Sequence, residues 1–155
     1  MMIPHHQQAV EMAKLAASRA GNPQVKQLAA TIEAAQQPEI ATMTGWLTTW
    51  GQPTTMPGMP GMPSASSGHG GHDMGGGTMP GMMSEGDMMI LEGLTGAEFD
   101  RSFLTMMTAH HQGAVDMAKA EQTEGLYRPA IDLAKSIQTS QTTEIRTMKD
   151  LLSKL

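Results

Sequence analysis

Residues 1–14 of the chain read MMIPHHQQAVEMAK, and residues 106–119 read MMTAHHQGAVDMAK. The two copies lie 105 residues apart, and each contains two Met, two adjacent His and a later Met-Ala-Lys. The same offset, without a gap, relates residues 28–47 to residues 133–152 at Leu, Ala, Ile, Gln, Glu and Met positions. The repeated unit is therefore a segment of about fifty residues rather than one short motif.

Helix-forming residues dominate four segments, residues 1–20, 24–50, 96–124 and 128–154. Apolar residues recur within them at steps of three and four, which is typical of helices that bury one face. Each repeat therefore predicts a helical hairpin, and two hairpins bury their apolar faces by packing together. The sequence predicts an all-α four-helix bundle.

Three local features refine this prediction. Thr95 and Glu98 have the spacing of a capping box, so a helix should begin near Gly96. Pro38 should kink the second helix, because it removes a backbone donor. A short helix is expected at residues 84–94.

Residues 51–95 join the two hairpins, and most of this stretch differs in composition from the rest of the chain. Residues 51–86 contain most of the Gly and seven Met, but no Lys or Arg. Such a sequence cannot bury a core, so it predicts a long Met/Gly/Pro-rich linker within one domain of 155 residues. The hairpins should then occupy residues 1–50 and 96–155.

The first hairpin begins directly on its motif, whereas residues 97–104 precede the second copy. We therefore expect that hairpin 1 is truncated here and that the intact product has residues upstream of Met1. Those residues would complete the first helix, and an export signal could lie among them.

Composition excludes several classes of partner. The formal net charge of -5 and the lack of a basic stripe argue against nucleic acid. The chain has no Cys, so it forms neither disulfides nor thiolate metal sites. No apolar run is long enough to span a bilayer.

The paired His point to a metal site. His5/His6 and His110/His111 fall at the same level of the bundle as Gln36/Glu39 and Gln141/Glu144, because each pair lies near the middle of the predicted hairpin. Four His and two Glu should therefore meet at one level, halfway along the bundle. We expect the Gln and Glu side chains to orient the His rings rather than to bind an ion directly.

Met residues at helical spacing from these His favour a soft metal. Thioether sulfur selects Cu(I) or Ag(I), while imidazole suits copper in either oxidation state. Met is also common core filler, and for Met12, Met43, Met117 and Met148 packing is the slightly preferred role. The candidate metal residues are Met2, His5, His6, Met12, Met43, Met107, His110, His111, Met117 and Met148 in the bundle, with His69, His72 and Met74 in the linker.

Three stretches carry a family resemblance: MMIPHHQQAVEMA at the start, the run of Gln36 to Gly51, and FDRSFLTMMTAHHQGAVDMA at residues 99–118. They resemble the domain of unknown function 305 family of bacterial, mostly exported proteins. The resemblance implies a ferritin-like four-helix fold and a role in copper tolerance or handling. The residues of this chain that match the family's motif, as the resemblance implies, are His5, His6, Met12, His110, His111 and Met117.

We therefore expect an extracytoplasmic, periplasmic or otherwise exported, copper-binding protein for sequestration, tolerance or delivery, with Cu(I) favoured over Cu(II) or Ag(I). Its partners would be metal ions and a metal-transfer protein. Two alternatives stay open: a metal-dependent oxidase, with copper or two metals, and a purely structural Met-rich bundle.

Overall fold

The computed structural model of the protein describes residues 2–54 and 79–155. These residues form five helices, and the four long ones agree with the predicted segments to within two residues at each end. None of the helices in the described part of the chain is long and apolar enough to cross a membrane. The helices are α1 (Met2–Arg19), α2 (Pro23–Thr49), α3 (Glu85–Gly93), α4 (Gly96–Glu124) and α5 (Arg128–Leu152).

The two hairpins, α1–α2 and α4–α5, pack against each other mainly through α1 and α4. These two helices are antiparallel, because Ala20 after α1 lies beside Gly96 at the start of α4, while His5 near the start of α1 contacts His110 at the middle of α4. α2 and α5 also touch, which closes a four-helix bundle, and α3 lies against α1 and α4. The predicted fold class is confirmed.

Side chains cap two of the helices. The Asn22 carboxamide oxygen accepts from the Gln24 backbone N–H at 2.8 Å, and Pro23 is the first residue of α2. Ser84 and Asp87 form a reciprocal capping box on α3, and the Ser84 hydrogen bonds lower the pKa of the Asp87 carboxyl. The two caps fix where α2 and α3 begin.

The capping box predicted for α4 is wrong, although α4 does begin at Gly96. Thr95 makes no side-chain hydrogen bond to the described first turn. Gly96 has a φ of 61°, a conformation that favours glycine, so the first turn does not present its N–H groups to the Thr95 hydroxyl. The backbone here instead approaches Gly21 closely, since a Cβ on Gly21 would lie 3.0 Å from the Gly96 Cα.

α2 runs through Pro38 as one helix from Pro23 to Thr49. The proline ring removes one backbone donor from the ladder. The Thr42 hydroxyl donates to the Pro38 carbonyl at 2.9 Å, which adds a side-chain bond in the following turn. The helix therefore carries Gln36 and Glu39, on either side of the proline, to the level of the His pairs.

The interior has three zones along the bundle axis. One end holds a large apolar cluster that includes Met12, Ile32 and the stacked rings of Phe99 and Phe103, whose centroids are 5.7 Å apart. The other end holds a small cluster of Ala118, Ala134 and Ile137, against which Met2 and Leu133 pack. Between the two lies a layer of buried polar side chains, which we call the polar layer: His5, His6, Gln36, His110, His111 and Gln141.

Asp100 connects the turn of the first hairpin to the start of α4. Its carboxylate is 1% exposed and accepts from the backbone N–H groups of Gly21, at 3.1 Å, and Asn22, at 2.8 Å. Charged hydrogen bonds of this kind are stronger than neutral ones. They hold the two hairpins together at the large apolar end.

We expect Asp100→Ala to lower the free energy of unfolding by about 2–4 kcal/mol, because two part-buried backbone N–H groups lose a charged acceptor. Chemical denaturation monitored by circular dichroism would measure the change. Glu98→Ala is the control, since Glu98 is an exposed carboxylate in the same turn. Equal stability of the two variants would contradict the role given to Asp100.

Candidate metal centre

The antiparallel packing of α1 and α4 brings the two His pairs into the polar layer. All four side chains are at most 1% exposed. The His5 and His110 rings lie against each other, with centroids 3.7 Å apart and planes tilted by 36°. His5 and His110 form the inner pair, and His6 and His111 form the outer pair.

A carboxylate holds each outer ring in the same way. His6 Nε2 donates to Glu39 Oε2 at 2.8 Å, and His111 Nε2 donates to Glu144 Oε2 at 2.6 Å. Because a carboxylate only accepts, Nε2 carries a proton, and in the neutral tautomer Nδ1 carries the lone pair. A carboxylate that orients a metal-binding imidazole through its other nitrogen is a common arrangement in metal sites. The structure therefore gives Glu39 and Glu144 the orienting contacts that the sequence predicts.

The inner rings differ from each other. His5 Nε2 lies 3.0 Å from the carbonyl oxygen of Pro80, to which it donates when protonated. Neither ring nitrogen of His110 has a hydrogen-bond partner among the described residues. The two copies of the motif are thus equivalent at the outer pair and unequal at the inner pair.

The polar layer contains many buried polar atoms without a partner in the described part of the protein. They are the Nδ1 atoms of all four His, Nε2 of His110, and both amide atoms of Gln36 and of Gln141. Buried polar atoms are usually bonded, and an unpaired one costs about 1–3 kcal/mol. Unpaired imidazole nitrogens are potential metal ligands, and the two unpaired amides lie in the same layer.

Carboxylates contribute little to the inner part of the layer. Within residues 2–54 and 79–155, no three His, Asp or Glu side chains gather closely enough to hold a metal ion by themselves. Di-iron centres in helical bundles use four carboxylates with Glu-x-x-His pairs. The described residues therefore do not supply the carboxylate set of a di-iron centre.

Burial keeps the inner rings neutral. Loss of hydration lowers the pKa of His5 from 6.5 to about 4, although the Pro80 hydrogen bond opposes this shift. Burial, with the neighbouring His5, His111 and His6, lowers the pKa of His110 to about 2. A metal ion competes with protons for a His lone pair, so neutral rings are ready to bind at neutral pH.

Residues 79–83, which we call the strap, cover the inner pair. The Gln8 carboxamide bonds twice to the Met83 backbone, accepting from its N–H at 2.8 Å and donating to its carbonyl at 2.9 Å. Gly81 has a φ of 77°, and a Cβ there would lie 2.5 Å from the Ala109 carbonyl oxygen. A Cβ on Gly113 would lie 1.8 Å from the Pro80 carbonyl oxygen. The strap therefore needs both glycines.

The sequence did not predict the strap, but it contains a signal for it. The two copies of the motif differ at the position occupied by Gln8 in the first and by Gly113 in the second. Both of these residues contact the strap. Of the four positions at which the two copies differ, this one replaces a long polar side chain by none, as a segment packed closely on only one copy requires.

The candidate Met residues fall into two groups. Met12, Met107 and Met148 are fully buried in the large apolar cluster, so their side chains are packed as core. Met2, Met43 and Met117 line a groove at the other end of the bundle. The other three candidates, His69, His72 and Met74, lie outside the described residues.

We expect Gly113→Ala to destabilise the protein, because its Cβ would displace Pro80 and the strap. Gly45→Ala is the matched control: it also lies inside a long helix, and a Cβ there meets nothing within 4 Å. Gly45→Ala should raise the free energy of unfolding by about 1 kcal/mol through helix propensity. Thermal denaturation of both variants would test this, and equal stabilisation would show that the strap does not press on α4.

The metal-free protein should lose stability as the pH falls below 6.5. Its unfolded His side chains bind protons from that pH downwards, whereas folded His5 and His110 stay neutral until about pH 4 and about pH 2. The melting temperature should therefore decline from pH 7 to pH 4. A variant with both residues changed to Gln should decline less steeply, and an unchanged slope would contradict the role of these two rings.

Comparison with known proteins identifies the fold and the family. A family model described as domain of unknown function, DUF305, matches residues 1–152. A solved DUF305 structure from Streptomyces coelicolor, described as a secreted protein, is 34% identical and has a TM-score of 0.82. It is aligned over 99% of this chain and 88% of that chain. No curated protein sequence matches the chain.

CopM is a further structural neighbour. Its Cu(I)-bound form is 31% identical, with a TM-score of 0.74 over 99% of this chain and 91% of that chain. Its Cu(II)-bound form is 35% identical, with a TM-score of 0.76 over 99% and 92% of the two chains. CopM is also known in an Ag-bound form. The family match over nearly the whole sequence, together with these structures, shows that the chain belongs to the DUF305 family.

Proposed function

We propose that this protein binds copper outside the cytoplasm and serves in copper sequestration, tolerance or delivery. The observation that supports this proposal most directly is the polar layer, where four buried His present Nδ1 atoms that have no partner among the described residues. An apolar core would be more stable in this position, because unpaired buried polar atoms cost free energy. A bound ion would give these atoms a partner.

The donor set favours copper over other ions. Imidazole binds Cu(I) and Cu(II), and the absence of Cys from the sequence leaves no thiolate that would favour zinc. The structural neighbour CopM, which has been solved with Cu(I), Cu(II) and Ag, supports the same group of ions. Cu(I) is the favoured cargo, because it accepts the small number of ligands that the inner pair offers.

The four His have different roles in this proposal. His5 and His110 lie at the centre of the layer and supply the inner ligands. His6 and His111 supply outer ligands, and Glu39 and Glu144 hold their rings so that Nδ1 is the free nitrogen. The strap excludes water from His5 through the Pro80 carbonyl. Copper held here is shielded from solvent, which suits storage or transfer to a partner protein.

Location outside the cytoplasm is supported by the family rather than by the site. The relative from Streptomyces coelicolor is described as secreted. A chain without Cys also suits an oxidising compartment, because it has no thiols to form unwanted disulfides.

The test is an anaerobic titration with Cu(I) against a chromogenic chelator. We expect the variant His5→Gln/His110→Gln to lose at least tenfold in affinity. The variant Glu39→Gln/Glu144→Gln should lose about 10–100-fold, as orienting partners of metal ligands usually do. The control is Glu11→Gln/Asp116→Asn, which changes two exposed carboxylates that are also related by the repeat and should have no effect.

Two results would overturn the proposal. Unchanged Cu(I) affinity in the inner-pair variant would move binding away from the polar layer. Oxygen uptake by the protein when loaded with Cu(I) or Fe(II), with turnover, would favour the metal-dependent oxidase instead.

A further inference from the structure

A groove of about 910 Å³ opens at the end of the bundle opposite the Phe99 and Phe103 cluster. Three thioethers line it, one each from α1, α2 and α4: Met2, Met43 and Met117. All three residues are partly exposed where they line the groove. They form a set of soft donors separate from the imidazoles of the polar layer.

The repeat gives each of these Met a partner with a different environment. Met2, Met43 and Met117 correspond to Met107, Met148 and Met12 at the 105-residue offset. The three partners are 0% exposed in the large apolar cluster. At their end Phe99, Phe103 and Leu104 fill the interior. One set of three Met is therefore structural, and the other set is open.

The remaining lining of the groove favours a cation. Glu121 and Glu124 contribute carboxylates, and none of the described lining residues is Lys, Arg or His. Tyr127 packs edge-on against Trp46 and Trp50, with centroid distances of 5.4 and 4.9 Å. Electron-rich ring faces and carboxylates both attract positive charge.

We propose that Met2, Met43 and Met117 form a second metal site, made of thioethers alone and selective for Cu(I) and Ag(I). Neutral sulfur ligands bind soft monovalent ions and discriminate against Zn(II) and Cu(II), which prefer nitrogen and oxygen. This inference rests on the proposed function in one respect: both sites are assigned the same soft monovalent ions. Pro80 lines the groove and also bonds to His5, so the groove adjoins the strap that covers the inner pair.

The repeat supplies matched variants for the test. The groove variant is Met2→Leu/Met43→Leu/Met117→Leu, and the control is Met12→Leu/Met107→Leu/Met148→Leu at the repeat-related positions. Each Met-to-Leu exchange usually costs less than about 1.5 kcal/mol, and circular dichroism would check that both triple variants fold. Native mass spectrometry would count bound Ag(I) in each. We expect the groove variant to lose one equivalent and the control to bind as the unchanged protein does.

A second measurement does not depend on the variants. In the unchanged protein with ¹³C-labelled Met methyl groups, Ag(I) should shift the signals of Met2, Met43 and Met117 and leave those of Met12, Met107 and Met148 in place. Zn(II) should shift neither set. Stationary groove signals, or unchanged stoichiometry in the groove variant, would overturn the proposal and identify the groove as an apolar surface only.

Comparison with the His5→Gln/His110→Gln variant separates the two proposals. Loss of silver in the groove variant alone would refute the polar layer as a metal site and leave the groove site standing. Loss of bound silver in the inner-pair variant alone would refute the groove site and leave the polar layer standing as a metal site. Loss in each variant supports both sites, and loss in neither refutes both.

Discussion

The contact between His5 and His110 is the constraint around which the rest of the bundle is arranged. Antiparallel packing of α1 on α4 puts two neutral imidazoles against each other in the interior, where a helical bundle normally places apolar side chains. The apolar clusters at the two ends must therefore hold the bundle together across a polar layer. The Asp100 carboxylate adds to this at the large end, where it bonds the turn of one hairpin to the first helix of the other.

Sequence reasoning predicted the parts of this arrangement that depend on periodicity and on the repeat. The helices, the hairpins and the meeting of His6 with Glu39 all follow from residues at most 33 positions apart. It did not predict the strap, because the bond from His5 to Pro80 joins residues 75 positions apart across a linker without periodicity. The capping box at Thr95 failed for a related reason: the conformation of Gly96 accompanies a contact with the distant Gly21.

The Met residues show where a pattern in one sequence stops being informative. Met12 and Met117 occupy equivalent positions of the repeat, as do Met43 and Met148, yet in each pair one is core and the other lines a groove. The difference arises from what lies opposite each of them. Phe99 and Phe103 cover the first set, whereas the second set faces open space and the rings of Trp46 and Tyr127.

The strap also makes the two halves of the protein non-interchangeable. A chain assembled from two copies of the first hairpin would carry Gln at position 113, and its side chain would occupy the space of the Pro80 carbonyl. A chain assembled from two copies of the second would carry Gly at position 8 and lose the amide that holds Met83. The strap contacts both copies of the motif at once. It requires an amide at position 8 and no side chain at position 113, so the two copies must differ there.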